Sequence, residues 1–293
     1  GGSDLKRSSD FDGDGKSEIT VYNSTSGMWL SLTSVSGYTA TSNRSWGGTG
    51  YAPVTGDFDG DGKADYAIYQ VTSGTWYILL SGAGFTTSLS KNVGGTGWTP
   101  VSADFDGDGK TDLVVYNPTS GVWYGLLSST NYTTTVNRSW GGTGYTAAPG
   151  DFDGDGKADL AIYQGSSGNW YILLSGAGFT TSLSKTVGGA GYTPAQADFD
   201  GDGKTDLVVH NATTGLWYGL LSSTNFTTTI NRSWGGTGYT PAKGDWDGDG
   251  KADLGIYHGS SGNWYVLLSG AGFTTSLSKS WGGTGYVPAP AFP

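Results

Sequence analysis

Asp151-Phe152-Asp153-Gly154-Asp155-Gly156-Lys157-Ala158-Asp159 places four carboxylates within nine residues, and Leu160-Ala161-Ile162-Tyr163 follows directly. The acidic stretch is a turn-forming loop, because its glycines permit sharp bends and positive φ. The apolar, β-branched stretch after it reads as a strand. The same nine-residue pattern starts at Asp10, Asp57, Asp104, Asp151, Asp198 and Asp245, always 47 residues apart. The last copy has Trp246 in place of Phe. Six copies at one period make this a repeat protein, and the repeat decides the architecture.

Take the first Asp of each loop as position one. Acids then stand at positions one, three, five and nine. In the first three copies they are Asp10, Asp12, Asp14 and Glu18; Asp57, Asp59, Asp61 and Asp65; and Asp104, Asp106, Asp108 and Asp112. In the last three they are Asp151, Asp153, Asp155 and Asp159; Asp198, Asp200, Asp202 and Asp206; and Asp245, Asp247, Asp249 and Asp253. The chain has 25 acids and 15 basic residues, a net charge of −10, and Asp4 is the only acid outside the loops. The acidity is therefore a property of six short loops and not of the general surface.

Four carboxylates this close repel unless a cation joins them. Calcium takes six to eight oxygen ligands in flexible geometry, whereas magnesium demands a stricter octahedron. The expectation is about six calcium ions, bound by the acids at positions one, three, five and nine. The position-seven carbonyls of Lys16, Lys63, Lys110, Lys157, Lys204 and Lys251 are expected to complete the ligand sets. An EF-hand has Glu at its twelfth position, but here that position is Val21, Ile68, Val115, Ile162, Val209 or Ile256. Six divalent ions would bring the net charge to about +2.

Each unit holds four strand candidates, which in the fourth unit are Thr146–Asp151, Asp159–Gln164, Asn169–Ser175 and Thr180–Val187. Four strands per unit and a period in the forties predict an all-β fold: a six-bladed β-propeller of four antiparallel strands per 47-residue blade. The acidic loop would join the first and second strand of each blade. One domain then spans residues 1–293, with repeats starting near residues 4, 51, 98, 145, 192 and 239. Closure has two candidates, since both Leu5–Asp10 and Tyr286–Pro293 fit the first strand of blade one. The start Gly1-Gly2-Ser3 reads as that of a mature fragment or of a recombinant expression product.

Asp-x-Asp-Gly-Asp-Gly-Lys-x-Asp-Leu, then Ser-Gly-x-Trp-Tyr, then Trp-Gly-Gly resembles the FG-GAP/VCBS repeat family. Integrin α-subunit headpieces and several propeller lectins are similar. The resemblance covers nearly the whole chain and implies a calcium-binding propeller. The first unit departs from the pattern with Ser17-Glu18 and with Leu30 in place of Tyr.

Aromatic residues repeat as well. Position 20 is Trp29, Trp76, Trp123, Trp170, Trp217 and Trp264, which reads mainly as core. Position 37 is Trp46, Trp140, Trp234 and Trp281, but Val93 and Val187 in the other two units. Position 42 is Tyr51, Trp98, Tyr145, Tyr192, Tyr239 and Tyr286. Position 35 is basic: Arg44, Lys91, Arg138, Lys185, Arg232 and Lys279. Alternating links put the aromatics on the face opposite the acidic loops, and the cations are expected beside them. Such platforms suit sugar rings, so Trp46, Trp140, Trp234, Trp281, Arg44, Arg138, Arg232, Tyr51, Tyr145 and Tyr239 are candidate ligand contacts.

The chain has no Cys and two His, and nearly every acid is assigned to a loop, so little catalytic material remains. The expected function is non-catalytic binding. A multivalent, extracellular lectin that binds glycans or cell-surface ligands is one reading. An integrin-like module that binds protein, or a non-catalytic appendage of a secreted enzyme, is the other. A monomer is expected. An acidic chain is a poor partner for nucleic acid, and no apolar run is long enough for a membrane helix.

Overall fold

The computed structural model describes residues 8–293. These form six sheets, each of four antiparallel strands, arranged as the blades of a β-propeller. Blade four shows the plan with strands Tyr145–Ala147, Leu160–Gln164, Asn169–Leu173 and Ser182–Thr186. The acidic loop joins its first and second strands, as the repeat predicts.

Burial changes from the centre outwards. The second strand of blade four is buried at Leu160, Ala161, Ile162 and Tyr163. It is covered on both faces because a blade stands on either side, so its sequence is continuously apolar and does not alternate. The third strand, Asn169–Leu173, alternates between buried and half-buried residues. The outer strand, Ser182–Thr186, alternates between exposed and half-buried residues and is polar throughout most of its length. First strands lie at a sheet edge along a central cavity of about 370 Å³. Pro100, Pro194 and Pro288 sit in these edge strands. An edge tolerates proline, because the missing N–H faces no neighbouring strand.

The position-20 tryptophans form the centre of each blade. Trp29, Trp76, Trp123, Trp170 and Trp217 are fully buried, and Trp264 is 1% exposed. Five of them donate the indole N–H to the position-37 carbonyl, as Trp123 does to Trp140 at 2.9 Å. Burial of all six, with the N–H of five satisfied and that of Trp170 left without a partner, fits the core role expected of them.

The two ends of the chain share the closing strand. Tyr286–Pro288 pairs with Val21–Asn23, and the Ala289 amide donates to the Thr20 carbonyl at 3.0 Å. Nearer the loop, the Glu18 amide donates to the Ser9 carbonyl at 2.9 Å. In blade three the equivalent contact runs from Asp112 to Ala103, within one continuous segment. Most of the first strand of blade one thus comes from the C-terminal end. The Leu5–Arg7 part of the other candidate lies outside the described residues.

Candidate functional site

The acidic loops are built alike. In blade one, Asp10 accepts from the Gly13 amide at 2.6 Å and from the Gly15 amide at 2.8 Å. These bonds fold the loop around its first carboxylate. The backbone there has φ of 87° at Gly13 and 89° at Gly15, the left-handed region that favours glycine. Asp12 and Asp14 each accept from the amide two residues on. Glu18 accepts from the Phe11 amide and, at 3.1 Å, from the Ser34 amide.

Each loop gathers its carboxylates. Oxygens of Asp10, Asp12, Asp14 and Glu18 lie within 4.8 Å of one another. So do those of Asp57, Asp59 and Asp61; of Asp104, Asp106 and Asp108; of Asp151, Asp153 and Asp159; and of Asp198, Asp200 and Asp206. An all-oxygen donor set of this kind fits a hard divalent cation. Asp10 uses its oxygens on two amides, but each oxygen keeps a second lone pair for a metal. The remaining loop acids, Asp65, Asp112, Asp155, Asp202, Asp245, Asp247, Asp249 and Asp253, occupy the matching places in their own repeats.

Burial makes these carboxyls reluctant to ionise by themselves. It pushes Asp65, Asp112, Asp206 and Asp253 up to about 7, Asp159 up to about 6 and Glu18 up to about 8. Desolvation is the largest cause, and neighbouring acids add to it. A bound cation would remove both penalties.

A serine in the link between strands three and four covers each cluster, and sequence reasoning missed it. Ser128 Oγ lies 2.9 Å from Asp108 and 2.7 Å from Asp112, and the Ser128 amide donates to Asp112 at 2.7 Å. Ser34, Ser81, Ser175, Ser222 and Ser269 repeat the contact to the fifth-position acid. One hydroxyl proton can serve only one carboxylate at a time, so the serine bridges the pair without neutralising it. The available signal was a serine at the same loop position in all six repeats.

The loops are also joined to each other. The Ala64 amide donates to the Asp10 carbonyl at 2.7 Å, and Thr111, Ala158, Thr205 and Ala252 do the same to Asp57, Asp104, Asp151 and Asp198 at 2.6–2.7 Å. Ser17 donates to Asp245 at 2.7 Å and closes the circle. The lysine side chains follow the same course. A Cβ at Gly13 would meet Lys63 Cε at 2.7 Å, and Lys110, Lys157, Lys204, Lys251 and Lys16 lie likewise against the preceding loop.

The structure separates the aromatics from the cations. Residues 44 and 46 share one side of the outer strand, and both face the next blade. The Trp46 indole donates to the Tyr77 carbonyl at 3.1 Å, in the middle of that blade's third strand, Thr75–Leu79. The Arg44 guanidinium instead lies 4.2 Å above the Phe85 ring, beyond the end of the same strand. Arg138 sits over Phe179 at 5.7 Å and Arg232 over Phe273 at 5.6 Å. The arginines therefore belong to the acidic-loop end of the seams, a correction to the expectation that they flank the aromatic face. Their partners were also missed. Tyr38, Phe85, Tyr132, Phe179, Phe226 and Phe273 all have φ of 59–61°, which turns the ring back into the preceding seam.

At the other end of the seams the candidate aromatics do come together. Trp46, Tyr51 and Tyr77 are half-buried, with the Tyr51 and Tyr77 rings edge to face at 6.1 Å. Trp140, Tyr145 and Tyr171 repeat this at 6.1 Å, and Trp234, Tyr239 and Tyr265 come together likewise, with the two tyrosine rings 6.1 Å apart and tilted by 59°. Tyr51 pairs across the strands with Gln70, Tyr145 with Gln164 and Tyr239 with His258. In the two intervening seams Val93 and Val187 replace the tryptophan and are buried. In the sixth, Trp281 and Tyr286 meet Leu30 in place of a tyrosine.

Fold and loops together define a β-propeller with one acidic, cation-fitting loop per blade. The chain belongs to the FG-GAP-like repeat family, whose model matches residues 10–68, 57–115, 104–162, 151–209 and 198–256. No curated protein matches the sequence. Among solved structures, an Agrocybe aegerita lectin that recognises non-reducing terminal N-acetylglucosamine is 14% identical, with a TM-score of 0.55 over 94% of this chain and 89% of that one. A streptogramin B lyase is 8% identical, with a TM-score of 0.55 over 97% of this chain and 85% of the other. The virginiamycin B lyase of Staphylococcus aureus is 7% identical, with a TM-score of 0.51 over 95% and 85%. At these identities the likeness shows the fold alone, and the fold is shared by binding proteins and enzymes.

Proposed function

We propose that this protein is a non-catalytic, calcium-stabilised glycan-binding propeller that works outside the cell. The observation that carries the reading is the threefold recurrence of one constellation: Trp46, Tyr51, Tyr77 and Gln70; Trp140, Tyr145, Tyr171 and Gln164; Trp234, Tyr239, Tyr265 and His258. Half-buried rings offer apolar faces to the C–H surfaces of a sugar. The amide or imidazole beside them offers hydrogen bonds to hydroxyls. The similarity in fold to a lectin supports the reading. Three weak sites on one molecule would gain affinity for a polysaccharide or cell surface through avidity.

The acidic loops hold the scaffold and not the sugar in this proposal. Loops of this charge bind calcium at about 10⁻⁴–10⁻³ M in extracellular modules, which suits the concentrations found there. A glycan array probed with calcium present tests the function. Retention of a defined glycan class, lost in the W46A/W140A/W234A triple variant, is the expected result. An array on which no glycan binds at millimolar affinity overturns it.

A further inference from the structure

In five blades a tyrosine of the second strand clamps the glycine pair that leads to the next blade. The Tyr22 hydroxyl accepts from the Gly48 amide at 3.0 Å, Tyr69 from Gly95 at 2.6 Å and Tyr116 from Gly142 at 2.9 Å. Tyr163 accepts from Gly189 at 2.9 Å and Tyr257 from Gly283 at 2.7 Å. Some of these hydroxyls also donate back to the same glycine, as Tyr257 does to the Gly283 carbonyl at 3.1 Å. Where both bonds form, one oxygen atom satisfies a donor and an acceptor.

Blade five has His210 at this position, its ring tilted by 49° against that of Trp217 with centroids 4.6 Å apart. Its side chain is fully buried, and neither ring nitrogen has a hydrogen-bond partner. An imidazole is shorter than a phenol and stops before the glycine pair. A Cβ at Gly47, Gly94, Gly141, Gly188 or Gly282 would lie 2.5–2.7 Å from the tyrosine oxygen of its blade. At Gly235 the nearest atoms are Ile256 Cγ2 at 3.2 Å and Cδ1 at 3.3 Å, then Tyr239 Cβ at 3.6 Å, and no atom of His210 comes as near.

We propose that the seam between blades five and six contains a built site for one water molecule, which does the work of the missing tyrosine oxygen. The water accepts from the Gly236 amide, donates one proton to the unprotonated nitrogen of His210 and donates the other to the Gly236 carbonyl. Three polar partners are the usual number for a buried water. An apolar or larger ligand does not fit these requirements, because the partners are a donor and two acceptors around one hydroxyl-sized place. His210 is then a water-holding residue and takes no part in glycan contact. The reading is independent of the proposed function.

The test is a crystal structure of the calcium-loaded protein at about 1.5 Å, with melting curves for His210→Tyr and His210→Phe. An ordered oxygen at about 2.6–3.2 Å from both a His210 nitrogen and the Gly236 amide is expected. In H210Y the phenol oxygen should take that place and the water should be gone. H210F should leave the Gly236 amide unpaired and melt about 2–4 °C below H210Y. A direct contact from the imidazole to the Gly236 amide overturns the proposal. So does a site without ordered density, or an H210Y that melts no higher than H210F.

Discussion

The amide of Ser17 donates to the carbonyl of Asp245 at 2.7 Å, although the two residues lie 228 positions apart in the chain. This bond joins the loop of blade one to that of blade six and completes a belt of six such bonds. The belt couples every acidic loop to its neighbours through the backbone. Loss of the cation from one loop should therefore loosen two others.

Calcium removal should lower stability as one event and not loop by loop. Metal bound to the native state alone stabilises by about 2.7 kcal/mol per site at a hundred times Kd. Calorimetry with calcium and with chelator should show a single transition moving down by tens of degrees. An unchanged transition contradicts the loop assignment.

The pH dependence should reverse with the metal. Folded-state values near 7 for Asp65, Asp112, Asp206 and Asp253 lie above the unfolded value near 3.8. The metal-free native state then binds more protons than the unfolded chain between these values, so its stability falls as pH rises from about 4 to 7. With calcium bound the carboxylates are held ionised, and acid should displace the metal and destabilise. His210, pushed down to about 4 by burial, works against the first trend, but it is one group against several. Chelated protein should melt higher at pH 5 than at pH 8, and calcium-loaded protein lower.

The capping serine should matter to folding and to metal affinity together. Ser128→Ala removes the hydroxyl between Asp108 and Asp112 and leaves the Ser128 backbone bond in place. A cost of about 1–2 kcal/mol is expected without metal, and less with it, because the cation then holds the two carboxylates. Urea melts with and without calcium measure the difference.

Trp140→Val copies what Val93 and Val187 already do in the intervening seams, so the fold should tolerate it with a loss of about 1–2 kcal/mol. Glycan-surface retention should drop by a fraction, as expected of one site among three. Complete loss from this single change would favour one asymmetric protein-binding patch.

Ending the chain before Tyr286 should open the ring. The strand Ile19–Asn23 would lose its partner Tyr286–Pro288 and present an unpaired edge. Edges of this kind pair with other chains. Light scattering should detect oligomers that the full chain does not form.

Much of this was legible in the residues because a repeat makes its own alignment. The 47-residue step, the Leu-Ala-Ile-Tyr strand and the Trp of position 20 identified blades, second strands and core without any structure. The acids showed themselves because close carboxylates in a glycine-bearing loop have few other uses. The serines escaped notice because serine is common in links and carries no charge. The aromatics at φ near 60°, such as Phe85, escaped notice because bulky residues rarely take that conformation.

Local chemistry is thus what the sequence determines here: the strands, the acidic loops, the six units and the family. Relations between units were decided only by the tertiary structure. Arg44 and Trp46 are two residues apart and face the same seam, yet one reaches Phe85 and the other the Tyr77 carbonyl. The direction of a long side chain depends on what the next blade places beside it, and no periodicity records that. The closing strand is similar. Two segments fitted it equally by pattern, and the pairing of Tyr286–Pro288 with Val21–Asn23, with Ser9 completing the loop end, emerges only when the ring is closed in space.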